Sequence, residues 1–464
     1  MKLLTKKYIA LALSGALLVS SCNVLDQEPQ QSIDKKDLFI NQNGAEVALN
    51  GLYSAVQVDQ YYGLNMPLIG DQYTDVSTYN GFFVGWLQLD NGVIPASNAD
   101  VEDTWAAIYS AIENANNIIN EVPLIQDDAF ADEDRAYIIA QAKAIRALCY
   151  FDLLRHWGDH DDLGSQYGVP VLTESLGGDL SGLQFVPRNT VAQVYAQIEA
   201  DLLDALPDLD NSGDNAIANL EFAQGLLARM YLYMKDYASA ESYATQVLGS
   251  GNYGLEGNYA DIFDVDGTAE SIFELNFTST DPSGFSNFLL RRNEVLVEQS
   301  LVDYFYPGPD GIFGAPGADL RGDLIAYSRN APRFFKYDDR SNSTDPAYIM
   351  RIAEMYLIRA EALAMQSGDP NDGLPDLNVI RNRAGLGDIV GGAGYTMNTF
   401  ITDLLNERKY EFYAEGHRFP DLVRLGRLSD AGITDGFRKV FPIPLFELQI
   451  QGAVIEQYPG YTAD

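Results

Sequence analysis

Positive charge is scarce in this chain: 30 Lys and Arg stand against 66 Asp and Glu in 464 residues, a formal charge of −36. No block of basic residues gathers into a local positive groove. Such a surface repels phosphate backbones and anionic headgroups, which excludes nucleic acid as a partner and favours neutral ligands. Cysteine is scarcer still, at two residues, so one disulfide is the most the chain could form and packing must hold the fold. Long apolar runs are also lacking. The only candidate, residues 8–19, is about a dozen residues long, short of the ~20 that a membrane-crossing helix needs. Enzyme signatures are missing too: there is no nucleophile elbow, no phosphate-cradling Gly-rich turn and no zinc-protease helix. Among 66 acids, close carboxylate pairs arise by chance and identify no glycosidase. Asp159, Asp161 and Asp162 beside His156 and His160 look like a metal cluster, but Gly158 interrupts the helix between them and a solvated turn is expected.

Apolar and aromatic side chains are abundant, at 47% and 11%, which is enough to fold so acidic a chain. The length suits two to four modules or one large helical array. Residues 1–21 read as an export signal, with Lys2, Lys6 and Lys7 before the apolar run and small residues before Cys22. Val19-Ser20-Ser21-Cys22 resembles the lipobox of bacterial lipoproteins, in which the cysteine becomes an acylated N-terminus. Cys149 would then be the sole thiol, on one helical stripe with Ile138, Ala142 and Ile145, as a small buried hydrophobe.

Helical periodicity dominates. It predicts helices over 105–119, 135–157, 222–234, 237–248, 348–365, 375–383 and 400–414, and another capped by Thr190 and Gln193 and stopped by Pro207. Leu227, Ala228, Tyr231, Ala240 and Val247 fall at tetratricopeptide offsets, where small residues let two helices cross closely. Long insertions interrupt the pattern, including Gly/Asp/Pro-rich stretches at 306–321 and 387–395 and a strand-like run at 271–277. The expected fold is mainly α, a tetratricopeptide-like scaffold carrying an irregular, loop-rich face where binding resides.

Several segments together resemble the SusD/RagB family of nutrient-uptake lipoproteins. They are residues 25–29 after the lipid cysteine, 142–155 with Gly158-Asp159 and Val169-Pro170-Val171, 351–362, 377–385, 407–424 with Glu415-Gly416-His417-Arg418, and the end with Phe441-Pro442-Ile443-Pro444, Glu447 and Pro459-Gly460-Tyr461. The chain departs at Pro420, where the family usually has an aromatic, and at Leu425, where it often has Trp. Arg408, Glu411, Glu415 and Arg418 share a helical spacing and read as packing ion pairs, outside the binding surface.

The resemblance implies a signal at 1–21 and a single domain at 22–464, anchored by Cys22 to the outer membrane at the cell surface. It also implies a non-enzymatic lid that passes oligosaccharides to a SusC-like TonB-dependent transporter, with the helical units packed against that transporter. No cofactor is expected, and whether a calcium ion orders a loop stays open. A peptide-binding scaffold and a lipid-anchored hydrolase are the competing readings.

A sugar calls for aromatic faces against its C–H patches and for amides, carboxylates or Arg at its hydroxyls. Residues 71–86 and 276–292 have that composition. The candidate glycan contacts are Trp86, Tyr79, Tyr73, Phe83 and Phe285 as ring surfaces, with Asp75, Asn80, Asn287 and Arg291 as polar partners. The net charge favours a neutral oligosaccharide unless Arg291 and Arg292 locally reverse the field.

Overall fold

The computed structural model describes residues 35–175, 185–307, 318–450 and 454–462. Cys22 and the expected signal lie outside the described residues, as does most of the Gly/Pro-rich stretch at 306–321.

Helices stack in chain order because each buries an apolar stripe on the next. Helix α1 (Gln42–Gln57) packs on α2 (Ala99–Glu121), which packs on α3 (Asp132–Trp157). The series continues through α4 (Val191–Ala205), α5 (Leu220–Met234), α6 (Tyr237–Gly249), α7 (Ile352–Ser367), α8 (Leu374–Arg383) and α9 (Met397–Glu411). Helix α3 is the axis: from Ala144 to Trp157 every side chain is buried. Asp132, Glu133 and Asp134 lie in its first turn and Arg155 in its last, as the helix dipole favours.

Local signals act where the sequence places them. The Thr190 hydroxyl accepts from the Gln193 N–H at 3.2 Å, and the Gln193 side chain accepts from the Thr190 N–H at 2.9 Å. Between α5 and α6, Lys235 takes the left-handed conformation (φ 64°) and Asp236 caps α6, which folds the tetratricopeptide-like pair back on itself. Leu227, Ala228, Tyr231, Ala240 and Val247 are all buried in that pair. Among the described residues, no helix is long and apolar enough to cross a membrane.

Among the described residues, three two-stranded antiparallel sheets interrupt the stack. Strand β1 (Ser77–Tyr79) pairs with β3 (Val295–Val297), β2 (Ser271–Leu275) with β6 (Ala347–Arg351), and β4 (Ile325–Ser328) with β5 (Ala331–Phe334). Strand β6 occupies the start of the helix expected from 348, so α7 begins only at Ile352. The extended backbone at Arg351 (φ −122°, ψ 151°) carries its guanidinium to Glu270 at 2.7 Å, Glu411 at 2.9 Å and Glu415 at 2.8 Å. Arg321 and Arg383 join Glu411 in the same buried network, and Lys336 joins Glu415. Burial alone would raise the Glu411 carboxyl, yet Arg383, Arg351 and Arg321 hold it below the usual carboxylate range.

Candidate glycan surface

The two loop regions nominated from sequence meet in space. The register Ser77↔Val297, Thr78↔Leu296 and Tyr79↔Val295 pairs the first with the strand that follows the second, and the Asn80 N–H donates to the Glu294 carbonyl at 2.7 Å. Beneath the junction Tyr79, Trp86 and Phe288 form an aromatic cluster, with Trp86 and Phe288 centroids 4.7 Å apart and Tyr79 stacked on Phe288 at 6.3 Å. The Tyr79 hydroxyl donates to Glu294 at 2.8 Å.

This cluster is interior, which corrects much of the expected ring surface. Trp86 is 2% exposed and Tyr79 6%, because Phe288 and the crossing strands cover them. Tyr73 is wedged edge-on between Phe419 and Phe441, each at 5.4 Å. Phe285 is fully buried and stacked on Tyr337 at 4.3 Å. None of these four rings offers a free face to a sugar in this conformation. Asp75 is also committed: both of its oxygens take N–H groups from Arg418 (2.7 and 2.9 Å), and Lys409 adds a third bond at 2.8 Å. Burial works against ionisation there, but Arg418 and Lys409 hold its pKa below the ordinary value.

What faces water is the rim of the same junction. Phe82 is 73% exposed, Phe83 is 38% exposed, and their centroids lie 4.9 Å apart. The Arg292 guanidinium sits 4.5 Å from the Phe83 ring centre and pairs with Glu294 at 2.9 Å. Asn80, Asn287 and Arg291 are exposed nearby in sequence. Gly81 makes this arrangement feasible: a Cβ there would lie 2.3 Å from the Tyr79 hydroxyl oxygen, so only glycine lets the chain pass over the Tyr79–Glu294 bond and turn Phe82 outward.

Of the expected contacts, Phe83, Asn80, Asn287 and Arg291 remain available on this surface. Phe82 and Arg292 join them, although the sequence reading gave them no place among the candidate contacts. Their signal is faint, since a Phe-Phe pair after a glycine does not say which ring is turned out. The suspected metal cluster resolves differently: Lys439 bridges Asp159 and Asp161, while His156 and His160 are buried. Burial first, then the Lys439 charge, pushes the His160 ring down to a pKa of about 3, so it is neutral. Small cavities among the described residues lie elsewhere. One of about 210 Å³ is lined by Ile94, Phe437 and Tyr461, and another of about 240 Å³ by Tyr167, Arg188 and Glu456. Both are below the roughly 300 Å³ at which ligand pockets usually begin.

A helical stack interrupted by small sheets, with an aromatic rim on the irregular side, defines a scaffold for binding. Comparison with known proteins gives it a family. A profile described as "SusD family" matches residues 332–440, and one described as "Starch-binding associating with outer membrane" matches residues 24–232. SusD-like protein P25 of Formosa agariphila is 24% identical, the match covering 95% of this chain and 96% of that protein. A SusD superfamily structure from Bacteroides vulgatus superposes with a TM-score of 0.76 at 26% identity, over 91% of this chain and 100% of that one. A laminarin-binding SusD-like protein shares the fold with a TM-score of 0.76 at 23% identity, over 91% of this chain and 100% of that one. The chain belongs to the SusD family.

Proposed function

We propose that this protein captures oligosaccharides at the rim formed by residues 80–84 and 287–292 and passes them, without chemistry, to a SusC-like TonB-dependent transporter. In this reading residues 1–21 are a signal, Cys22 is the lipid anchor to the cell-surface face of the outer membrane, and the chain from 22 onward acts as the transporter's lid. The observation that carries it is the exposed Phe82–Phe83 pair beside Arg292, a ring surface flanked by hydrogen-bond donors. The starch-binding description of the matching profile and the laminarin-binding relative of the same fold support a sugar as the ligand class.

Two rings at about 1 kcal/mol each leave most of the roughly 8 kcal/mol of micromolar affinity to hydrogen bonds and shape. Asn80, Asn287 and Arg291, exposed and near the rim in sequence, are the side chains we assign to those hydrogen bonds. Replacing Phe82 and Phe83 together by Ala is expected to weaken binding of a responsive oligosaccharide at least tenfold in calorimetry, with the melting temperature little changed. Unchanged affinity would remove the site. Release of reducing ends from the bound sugar would instead make the protein a hydrolase, and a response to peptides alone would make it a peptide scaffold.

A further inference from the structure

In so acidic a chain most described cations have a carboxylate within reach, as Arg146 has Asp201, Arg229 has Glu354, Arg424 has Glu361 and Lys439 has Asp159. Arg291, Arg329, Arg333 and Arg340 have none among the described residues. Arg135, Arg188 and Lys235 also lack one, but each donates to backbone carbonyls in a separate part of the fold. The other four converge on the β4–β5 hairpin and the turn at Asn287–Arg291 against which it packs. Arg291 donates to the Arg340 carbonyl, and Arg329 donates to the Arg291 carbonyl at 2.7 Å. From beneath, Arg333 donates to the Leu289 carbonyl at 2.8 Å.

Arg291, Arg329 and Arg340 are exposed, whereas Arg333 is fully buried with its Nε and one terminal nitrogen unpartnered. Burial, and then the Arg329 charge beside it, pushes Arg333 down to a pKa of about 10, so it stays cationic at neutral pH. Two of the nearby acids are otherwise occupied. Glu294 holds Arg292, and Asp339 spends its carboxylate on the Thr344 hydroxyl and on the N–H groups of Ser341, Asn342 and Thr344. Asp338, next to Arg340 in sequence, is exposed to solvent.

We propose that Arg291, Arg329 and Arg340 form an oxyanion subsite beside the Phe82–Phe83 rim, so that the captured glycan is an acidic one carrying a carboxylate or sulfate group. This rests on the glycan-capture reading and names its substrate class. Guanidinium groups match such oxyanions with paired N–H bonds, and Arg292, one residue from Arg291, reaches over Phe83 and so links the cationic group to the ring surface. The net charge of −36 does not forbid an acidic ligand. At physiological salt the Debye length is about 8 Å, so distant surface acids are screened while arginines in contact are felt in full.

The test is titration calorimetry on the folded protein with an oligogalacturonide, a sulfated oligosaccharide and a neutral laminari-oligosaccharide, each at low and at physiological salt. Arg329→Asn combined with Arg340→Gln is the variant, because Asn tolerates the left-handed backbone at position 329 (φ 53°). The expected result is tighter binding of one of the two acidic ligands than of the neutral one, weakening with salt, and at least a tenfold loss in the variant. Which acidic ligand responds separates carboxylate from sulfate. A neutral ligand bound at least as tightly as both acidic ones, lost on substituting Phe82 and Phe83 but unaffected by the arginine variant, would overturn the acidic class and leave the capture reading standing. No binding of any of the three would overturn both.

Discussion

Trp86 shows what a side chain's surroundings do to its role. A tryptophan in a loop rich in Gly and Asn reads as a sugar platform, but the ring lies under Phe288 and beside Tyr79, and it is 2% exposed. Trp86→Ala should therefore act on stability, costing about 3–5 kcal/mol in denaturant unfolding through the cavity it leaves. A variant that loses ligand affinity at unchanged stability would put the ring back on the binding surface. Asp71 is a second case. One of its oxygens accepts the Ala414 N–H at 2.6 Å, the other has no partner among the described residues, and burial is the main cause of a pKa raised to about 7. Since an unfolded aspartate titrates near about 3.9, the folded state keeps a proton that the unfolded state has released between those two values. This group's contribution therefore falls as pH rises from about 4 to 7. Asp71→Asn is expected to flatten that part of the stability profile, measured by unfolding at several pH values, and an unchanged slope would count against a protonated Asp71.

At the scale of elements, the local signals were the most legible. The Thr190–Gln193 box, the α5–α6 pair and the periodic helices needed only neighbours in sequence to form, and those neighbours were visible. Strand β6 was not. Its residues carry helical spacing, but pairing with β2 from 76 positions earlier makes them extended, since Ser271 lies opposite Arg351 and Leu275 opposite Ala347. The same limit hid which rings face water, because the chain that covers Trp86 and Tyr79 comes from residues 288–297. The charged spacing of Arg408, Glu411, Glu415 and Arg418 was readable, but their partners were not: Glu411 meets Arg321, Arg351 and Arg383, and Arg418 meets Asp75. Glu411 thereby ties α9 to β6 and α8. Glu411→Gln leaves three guanidinium groups short of a counter-charge and should cost about 3–5 kcal/mol in chemical denaturation. A cost under about 1 kcal/mol would mean that the network does not hold these elements together.

For the whole molecule, net charge and charge placement point to different ligands. The acidic total pointed to a neutral ligand, while Arg291, Arg329, Arg333 and Arg340 gather at the hairpin without an ion pair among the described residues. Total charge averages over the surface, and a ligand samples only the few ångströms it touches. The proposed lipid anchor would act on the entire chain as well. Cys22→Ala should move the protein from the membrane fraction to the soluble fraction on cell fractionation, and a variant that stays membrane-bound would refute the lipid anchor.

The pairing of β1 with β3 has a consequence in time. Tyr79 and Glu294 are 215 residues apart, so their bond closes a loop of nearly half the chain. Contacts of such separation form late, after the entropy of closing that loop has been overcome. A nascent chain ending before residue 290 would already contain its first helices but would expose Tyr79 and Trp86 and lack the Arg292 side of the rim. The aromatic rim is therefore formed only once synthesis has passed residue 297, and copies truncated before it should be recognisable to proteases by the aromatic cluster they leave uncovered.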